Sequence, residues 1–290
     1  MEHLRKPDWL KIDMANLSSG KVGHTIAHYG LNTVCESAGC PNQGECYKSG
    51  TATFMLLGNQ CTRNCKFCKV VSGKPEMLNE SEPINVAKAA SDMKLKHVVL
   101  TSVTRDDLSD GGSKHFANTI DEIHKLNPGM SIEVLIPDFM GDSDCLQTVI
   151  DAKPDIINHN VETIPSLYST VRPEAIFERS IELLKRVRER SQNIFTKSGF
   201  MLGLGETEDE VLELLHALRD ADVDIVTIGQ YLQPTKAHLS VKEYIHPDKF
   251  EWYKERALEM GFSLVASGPL VRSSYYAADD FARLKQKCSL

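Results

Sequence analysis

Short apolar runs, many of them β-branched, alternate with helix-patterned stretches along most of the chain, and this alternation limits the fold more than any other feature. The runs are TFMLLG (53–58), HVVLTSV (97–103), IEVLIP (132–137), DIINHNV (155–161), TKSGFMLGLG (196–205) and DIVTIGQY (224–231). Several are nearly uninterrupted, as strands covered on both faces are. Between them, helical spacing groups Ile84, Ala87 and Ala90 or Ser91, then Phe116, Ile120, Ile123 and Leu126, then Ile181, Leu184 and Val187. Thr207 with Glu210 three residues on reads as a capping box. Successive runs begin 44, 35, 23, 41 and 28 residues apart, and most of these intervals hold a strand–helix unit. Six strands alternating with helices predict an α/β fold, a parallel sheet curled into a partial (β/α)6 TIM-type barrel. In such barrels chemistry collects on the loops that follow the strands.

With 41% apolar and 25% charged residues over 290 positions, the chain can bury a sizeable core. A net charge of −7 argues against nucleic acid as a partner, since phosphate binding needs a basic footprint. The N-terminus lacks the apolar core of an export signal and no stretch reaches membrane-spanning length, so a cytoplasmic location is expected.

Thiols stay reduced in that compartment, and clustered cysteines there indicate metal or redox sites. Six of the eight cysteines fall between positions 35 and 68, while Cys145 and Cys288 stand apart and read as ordinary thiols. Cys61, Cys65 and Cys68 follow the first run with C-x3-C-x2-C spacing. Structural zinc is normally closed by four protein ligands. Three thiolates on one tight loop instead suit a [4Fe-4S] cluster with one iron left open for a substrate or cofactor. Upstream, CESAGCPNQGEC sets Cys35, Cys40 and Cys46 in a second triad of different spacing.

The loop LLGNQCTRNCKFCKV, with Phe67 before its last cysteine, resembles the cluster loop of the radical S-adenosylmethionine (SAM) enzymes. GFMLGLGE (199–206) is similar to a segment that lies near the adenine in that superfamily, with Met201 at its apolar position. CESAGCPNQGECY, LTSVTRDDLSDGG, NHNVET, KSGFMLGLGET, IGQYLQPT and RSSY together resemble the lipoyl synthase family over nearly the whole chain. The resemblance implies a radical SAM sulfurtransferase that inserts sulfur at C6 and C8 of an octanoyl chain amide-linked to a lysine of a lipoyl-carrier domain. Such carriers are glycine cleavage H protein and the E2 component of 2-oxoacid dehydrogenases. It implies two [4Fe-4S] clusters and S-adenosyl-L-methionine as cofactors, a reductant such as flavodoxin or ferredoxin, and an iron–sulfur carrier.

By the same resemblance, Cys61, Cys65 and Cys68 hold the cluster that cleaves SAM to methionine and a 5′-deoxyadenosyl radical. Cys35, Cys40 and Cys46, with a serine of RSSY, hold an auxiliary cluster that gives up sulfide. Of Ser273 and Ser274 the family pattern favours Ser274. An alkoxide is harder than a thiolate and exchanges more readily from cluster iron. Residues 1–50 are then an extension bearing auxiliary ligands, 51–235 the barrel, and 236–290 a segment whose RSSY returns over the barrel mouth, all one structural unit. Ligation by Ser274 would join the chain's two ends, and loss of the cluster should then free the tail.

Around SAM, Glu162 offers an acceptor for the ribose hydroxyls and Arg172 a bidentate partner for the carboxylate. Thr101 and Ser102 would flank the methionyl part. For each of these four, a local cap or ion pair explains the residue equally well. His159 reads as a packed polar residue, and TRDDLSDGG as a rim loop without a metal of its own. Arg179, Lys185, Arg186, Arg188 and Arg190, interleaved with glutamates, read as a solvated helix face that could also guide an acidic carrier. Two rivals stay open here. One is another radical SAM sulfur-inserting enzyme, methylthiotransferase or biotin synthase-like; the other is a zinc- or cluster-binding module without catalysis.

Overall fold

The computed structural model describes residues 5–11, 20–48 and 52–288. The Cys288 side chain, and the parts of the 1–50 extension at 1–4, 12–19 and 49–50, lie outside the described residues. The extension contributes α1 (Gly20–His28), α2 (Val34–Ser37) and α3 (Gln43–Lys48). After β1 (Thr53–Leu56), a small pair, β2 (Gln60–Cys61) and β3 (Val71–Ser72), frames the cysteine loop. The chain then alternates through α4 (Glu82–Asp92), β4 (His97–Ser102), α5 (Ser113–Leu126), β5 (Ser131–Leu135), α6 (Ser143–Asp151) and β6 (Ile156–Asn158). It continues with α7 (Tyr168–Val171), α8 (Phe177–Arg190), β7 (Phe195–Leu202), α9 (Glu208–Asp220) and β8 (Ile225–Gln230). The last elements are α10 (Pro247–Glu259), β9 (Leu264–Gly268) and α11 (Ala277–Cys288).

β1, β4, β5, β6, β7, β8 and β9 form one all-parallel sheet in that order. β1 and β9 do not pair with each other, so the barrel stays open, as a partial barrel must. All six expected runs are strands. The seventh, β9, was not anticipated: LVASG is short and ends in serine and glycine, at an edge where β-propensity is weakly demanded.

Residues alternate between two environments. Val98, Leu100, Ile132, Val134, Ile157 and Ile228 pack outward into the main core, which also holds Phe116, Ile120 and Leu184 of the surrounding helices. α4 buries the expected Ala87 and Ala90 together with Val86 and Ala89, while Ile84 is half-buried and Ser91 exposed. Leu126, placed by spacing on the buried face of α5, is exposed. The capping box at Thr207 forms as read. The inward positions are far more polar. Glu133, fully buried, accepts from Lys197 Nζ at 2.9 and 3.0 Å and from Asn158 Nδ2 at 3.1 Å.

α11 closes the lower interior, where Phe281 and Leu284 pack on Ile156, Ile225 and Leu264. The C-terminal segment thus does more than return over the mouth: it supplies a strand and the barrel's apolar floor. Two members of the basic run on α8, Arg179 and Arg188, are wired to other elements. Arg179 pairs with Asp138, Arg186 with Glu182, and Arg188 with Asp222 and Asp224, while Arg190 donates to the Ser143 carbonyl. Lys185 beside Glu189, Arg186 beside Glu182 and the exposed Arg190 keep the character of a solvated face.

Candidate active site at the barrel mouth

Leu57 and Gly58, both at positive φ, turn the chain out of β1 into the cysteine loop. That loop is pinned from several strand ends. Arg63, 5% exposed, holds Asp106 through two hydrogen bonds (2.7 and 2.9 Å) and Asp138 at 2.6 Å. Burial pushes the Asp138 carboxyl up, but Arg63 outweighs it and holds the pKa at about 2. Thr62 N–H donates to Thr104 O, and Lys66 N–H to Val171 O. His238 Nε2 donates to the Cys68 carbonyl at 2.9 Å, with Leu239 N–H on Lys66 O beside it. Cys61 Sγ faces the backbone N–H groups of Arg63 and Thr104 at 3.4 and 3.3 Å. Burial, with the neighbouring thiols adding to it, pushes Cys68 up to about 12. The TRDDLSDGG loop is therefore a rim that grips the cysteine loop through Arg63, and its Asp107 is taken up by Arg105.

The second triad is built on short helices outside the barrel. Thr33 caps α2, bridges to Phe54 of β1 and hydrogen-bonds Tyr47 at 2.9 Å. Cys35 and Cys46 lie on α2 and α3, and Cys40 sits in the turn between them. Burial, then the charges of Cys40 and Cys35, raise Cys46 to about 12. Residues 271–275 close this side. Gly229 allows the approach, because a Cβ there would lie 2.3 Å from the Val271 carbonyl oxygen. Asn42 Nδ2 donates to Leu270 O at 2.8 Å, and Asn160 Nδ2 to Ser273 Oγ at 2.7 Å. No hydrogen bond engages the Ser274 hydroxyl among the described residues.

Between the triads lies a cavity of about 380 Å³. Its wall includes Cys35, Cys40, Cys46, Cys61, Cys65 and Cys68, with Thr101, Ser102, Glu162, Arg172, Met201, Ser273 and Ser274. All the residues read from the sequence as ligands or SAM contacts therefore meet at one place. They are not equally free. Thr101 spends its hydroxyl on Leu135 O at 3.2 Å, which is the local role weighed for it. Arg172 Nη1 donates to the Asn160 and Val161 carbonyls at 2.9 and 3.2 Å. Its Nε is buried without a partner, as are Ser102 Oγ and Asn160 Oδ1. Glu162, at φ +66°, accepts from Asn160 Nδ2 at 3.1 Å, and burial raises its pKa against the pull of Arg172. Met201 joins Phe67 beside buried Tyr231 in an apolar patch.

His159 is packed as expected. Its Nδ1–H donates to Ile136 O and Nε2 accepts from Ser180, with burial first and then Arg172 lowering its pKa to about 4. Cys145 is a buried, isolated thiol. Sequence reasoning passed over Asn160, Lys69, Arg272 and His238. Lys69 lays its ammonium against Gly39, where a Cβ would be 2.8 Å from Nζ, between the two cysteine loops. Arg272 stands near Cys40 and Glu162, and burial lowers its pKa. The motifs NHNVET and RSSY contained two of these residues, but neither spacing nor composition separated them from their neighbours.

The residues fit clusters and SAM by chemistry as well as by place. Cavity-wall polar atoms are left orphaned, thiols sit in two groups, and three cations (Lys69, Arg172, Arg272) face them against one carboxylate. Among the described residues no three Cys, His, Asp or Glu side chains converge tightly enough for a single metal ion.

Residues 55–218 match the model of the Radical SAM superfamily. The chain is 56% identical over 274 residues to the lipoyl synthase of Caldanaerobacter subterraneus subsp. tengcongensis, covering 94% of this chain and 96% of that one. It is 52% identical over 280 residues to the lipoyl synthase of Caldicellulosiruptor saccharolyticus, covering 96% and 98%. In fold it is similar to the crystal structure of Streptococcus suis SuiB bound to S-adenosylmethionine, with a TM-score of 0.60 at 13% identity over 78% of this chain and 53% of that one. At such identity over nearly its full length, the chain belongs to the lipoyl synthase family of the radical SAM superfamily.

Proposed function

We propose that this radical SAM sulfurtransferase divides its work between the two triads. Cys61, Cys65 and Cys68 hold the cluster that engages SAM. Cys35, Cys40, Cys46 and Ser274 hold the auxiliary cluster whose sulfur reaches an octanoyl-lysyl chain. The observation that carries this reading is the single 380 Å³ cavity lined by both triads and by RSSY. When bound, the clusters and SAM supply the one-electron cleavage and the sulfide that such chemistry requires.

The chain's own residues bind, orient and screen. Arg172, its Nε unspent, would hold the carboxylate of an amino-acid moiety, and Ser102 Oγ, also unpartnered, would offer a further polar contact. Glu162 offers an acceptor to ribose hydroxyls. Met201 and Phe67 form the apolar wall for a base. Met55, Val70, Leu135 and Ile136 line the same cavity and suit an alkyl chain that must be held without water. Lys69 and Arg272 place positive charge between anionic groups, favouring thiolate ligands over the raised thiols. Loading either triad therefore releases protons. Asn160 donates to Ser273 while no hydrogen bond engages the Ser274 hydroxyl among the described residues, which supports Ser274 as the ligand.

Residues 1–50, 51–235 and 236–290 act as one unit, since all three line the site. No helix among the described residues is long and apolar enough to cross a membrane. We place the protein in the cytoplasm, where thiols stay reduced. Its family acts on lipoyl-carrier protein and needs a reductant. Glycine cleavage H protein or a 2-oxoacid dehydrogenase E2 domain as carrier, flavodoxin or ferredoxin as reductant, and an iron–sulfur carrier are the finer assignments. The test is anaerobic incubation with SAM, a reductant and an octanoyl-lysyl peptide. Mass analysis should show two sulfurs added; a peptide left unchanged by cluster-replete protein would contradict the reading.

A further inference from the structure

The two ends of the chain meet beside the N-terminal triad, and protein atoms join them. The Tyr275 hydroxyl donates to the Glu45 carboxylate at 3.1 and 3.3 Å, and the Tyr276 hydroxyl donates to it at 2.6 Å. Asn42 adds its bond to Leu270. Glu45 precedes Cys46 on α3, and Tyr275 follows Ser274, so the bonds grip the neighbours of two proposed ligands. The tyrosine rings lie 4.3 Å apart, centre to centre.

Tyr276 adopts φ +55°, a left-handed conformation that a bulky residue rarely takes without something holding it. That turn opens α11, which is anchored in the barrel floor by Phe281 and Leu284. One carboxylate on a short helix is thus held by two phenols whose positions are fixed by a strained turn and a buried helix. Hydrogen bonds to a charged acceptor are stronger than neutral ones.

We propose that Glu45, Tyr275 and Tyr276 form a clasp, independent of iron, that keeps the auxiliary socket assembled when its cluster has been spent, so that the socket can be reloaded. The proposal rests on the reading that the N-terminal triad holds a sulfur-donating cluster. It reverses the expectation that the tail comes free once serine ligation is lost. The three are positioning residues, acting through the neighbouring Cys46 and Ser274, although the Tyr275 side also lines the cavity.

The experiment strips iron from the full-length protein by anaerobic chelation and follows hydrogen exchange in residues 272–280. In the wild type these amides should stay protected after stripping. In Glu45→Ala, and separately in Tyr275→Phe/Tyr276→Phe, their exchange should rise about tenfold while β4 is unchanged, the effect of losing hydrogen bonds to a charged group. Iron uptake is then timed in a background with Cys61, Cys65 and Cys68 all changed to alanine, so that only the auxiliary socket is read. Both clasp variants should reload about tenfold more slowly than their parent. A stripped wild type with fully exchanging tail amides, or variants as protected as the wild type, would overturn the clasp. No iron uptake by the parent background would instead overturn the cluster assignment and the reloading role with it, leaving the exchange result to stand alone.

Discussion

The two triads present the same side chain and line the same cavity, yet they are held in opposite ways. The barrel-side triad lies on a single loop tied to the ends of β4, β5 and α7, with the buried ion pairs of Arg63 at its centre. The N-terminal triad rides on α2 and α3 and is completed by residues more than 200 positions away, through Leu270 and Ser273 to Tyr276. One socket is part of the sheet's own framework. The other is an assembly of two chain ends. A site that must return to the same geometry each cycle suits the first construction, and one whose contents are taken apart suits the second.

The largest expected break in this comparison is at the serine. Ser274→Ala should leave no lipoyl product while iron at the barrel-side triad is kept, measured as product yield beside iron and sulfide content. Ser273→Ala should lose only its bond from Asn160, about 1 kcal/mol, and keep product formation at a several-fold lower rate. A dead Ser273 variant beside an active Ser274 variant would exchange the two assignments.

Next comes Arg63→Ala, which leaves the buried Asp138 carboxylate with only its longer pair to Arg179, so that the cost approaches from below that of breaking a buried pair. Removing one partner of such a pair costs about 3–5 kcal/mol, read as a lowered urea midpoint. Iron should be lost selectively from the barrel-side triad. Equal loss from both triads would show that the two sockets share one scaffold.

A smaller effect is set by pH. The native His159 ring, with its pKa lowered to about 4, refuses a proton that the unfolded chain takes up near 6.5. Stability should therefore fall as pH drops from 6.5 towards 4, by about 1.4 kcal/mol per unit, and His159→Asn should flatten that slope. Asp138 and Glu133, both held at about 2, have folded pKa values below their unfolded ones and lose their contributions only below about pH 4. Because all three groups support the barrel, the protection of the 272–276 tail should change little between pH 6.5 and 5.

The legible part of the molecule is the part encoded locally. Ligand spacing in Cys61, Cys65 and Cys68 survives in sequence because one loop supplies all three. The six apolar runs survive because a strand covered on both faces needs them. What stayed hidden depends on partners far along the chain. Asn160 looks like any polar residue until Ser273 arrives 113 positions later. Gly229 is an ordinary strand glycine until the Val271 carbonyl rests on it. Arg179 and Arg188 of α8 read as part of a solvated face because the aspartates that take them, Asp138, Asp222 and Asp224, lie on other elements.

The central claim is that the triads have separable jobs, and one paired measurement addresses it: 5′-deoxyadenosine and lipoyl product from Cys65→Ala and Cys40→Ala proteins, each given SAM, reductant and octanoyl-lysyl peptide without oxygen. Cys65→Ala should yield neither. Cys40→Ala should still release 5′-deoxyadenosine, uncoupled from sulfur insertion, and yield no lipoyl product. Lipoyl product from the Cys40 variant, or SAM cleavage by the Cys65 variant, would contradict the division of labour.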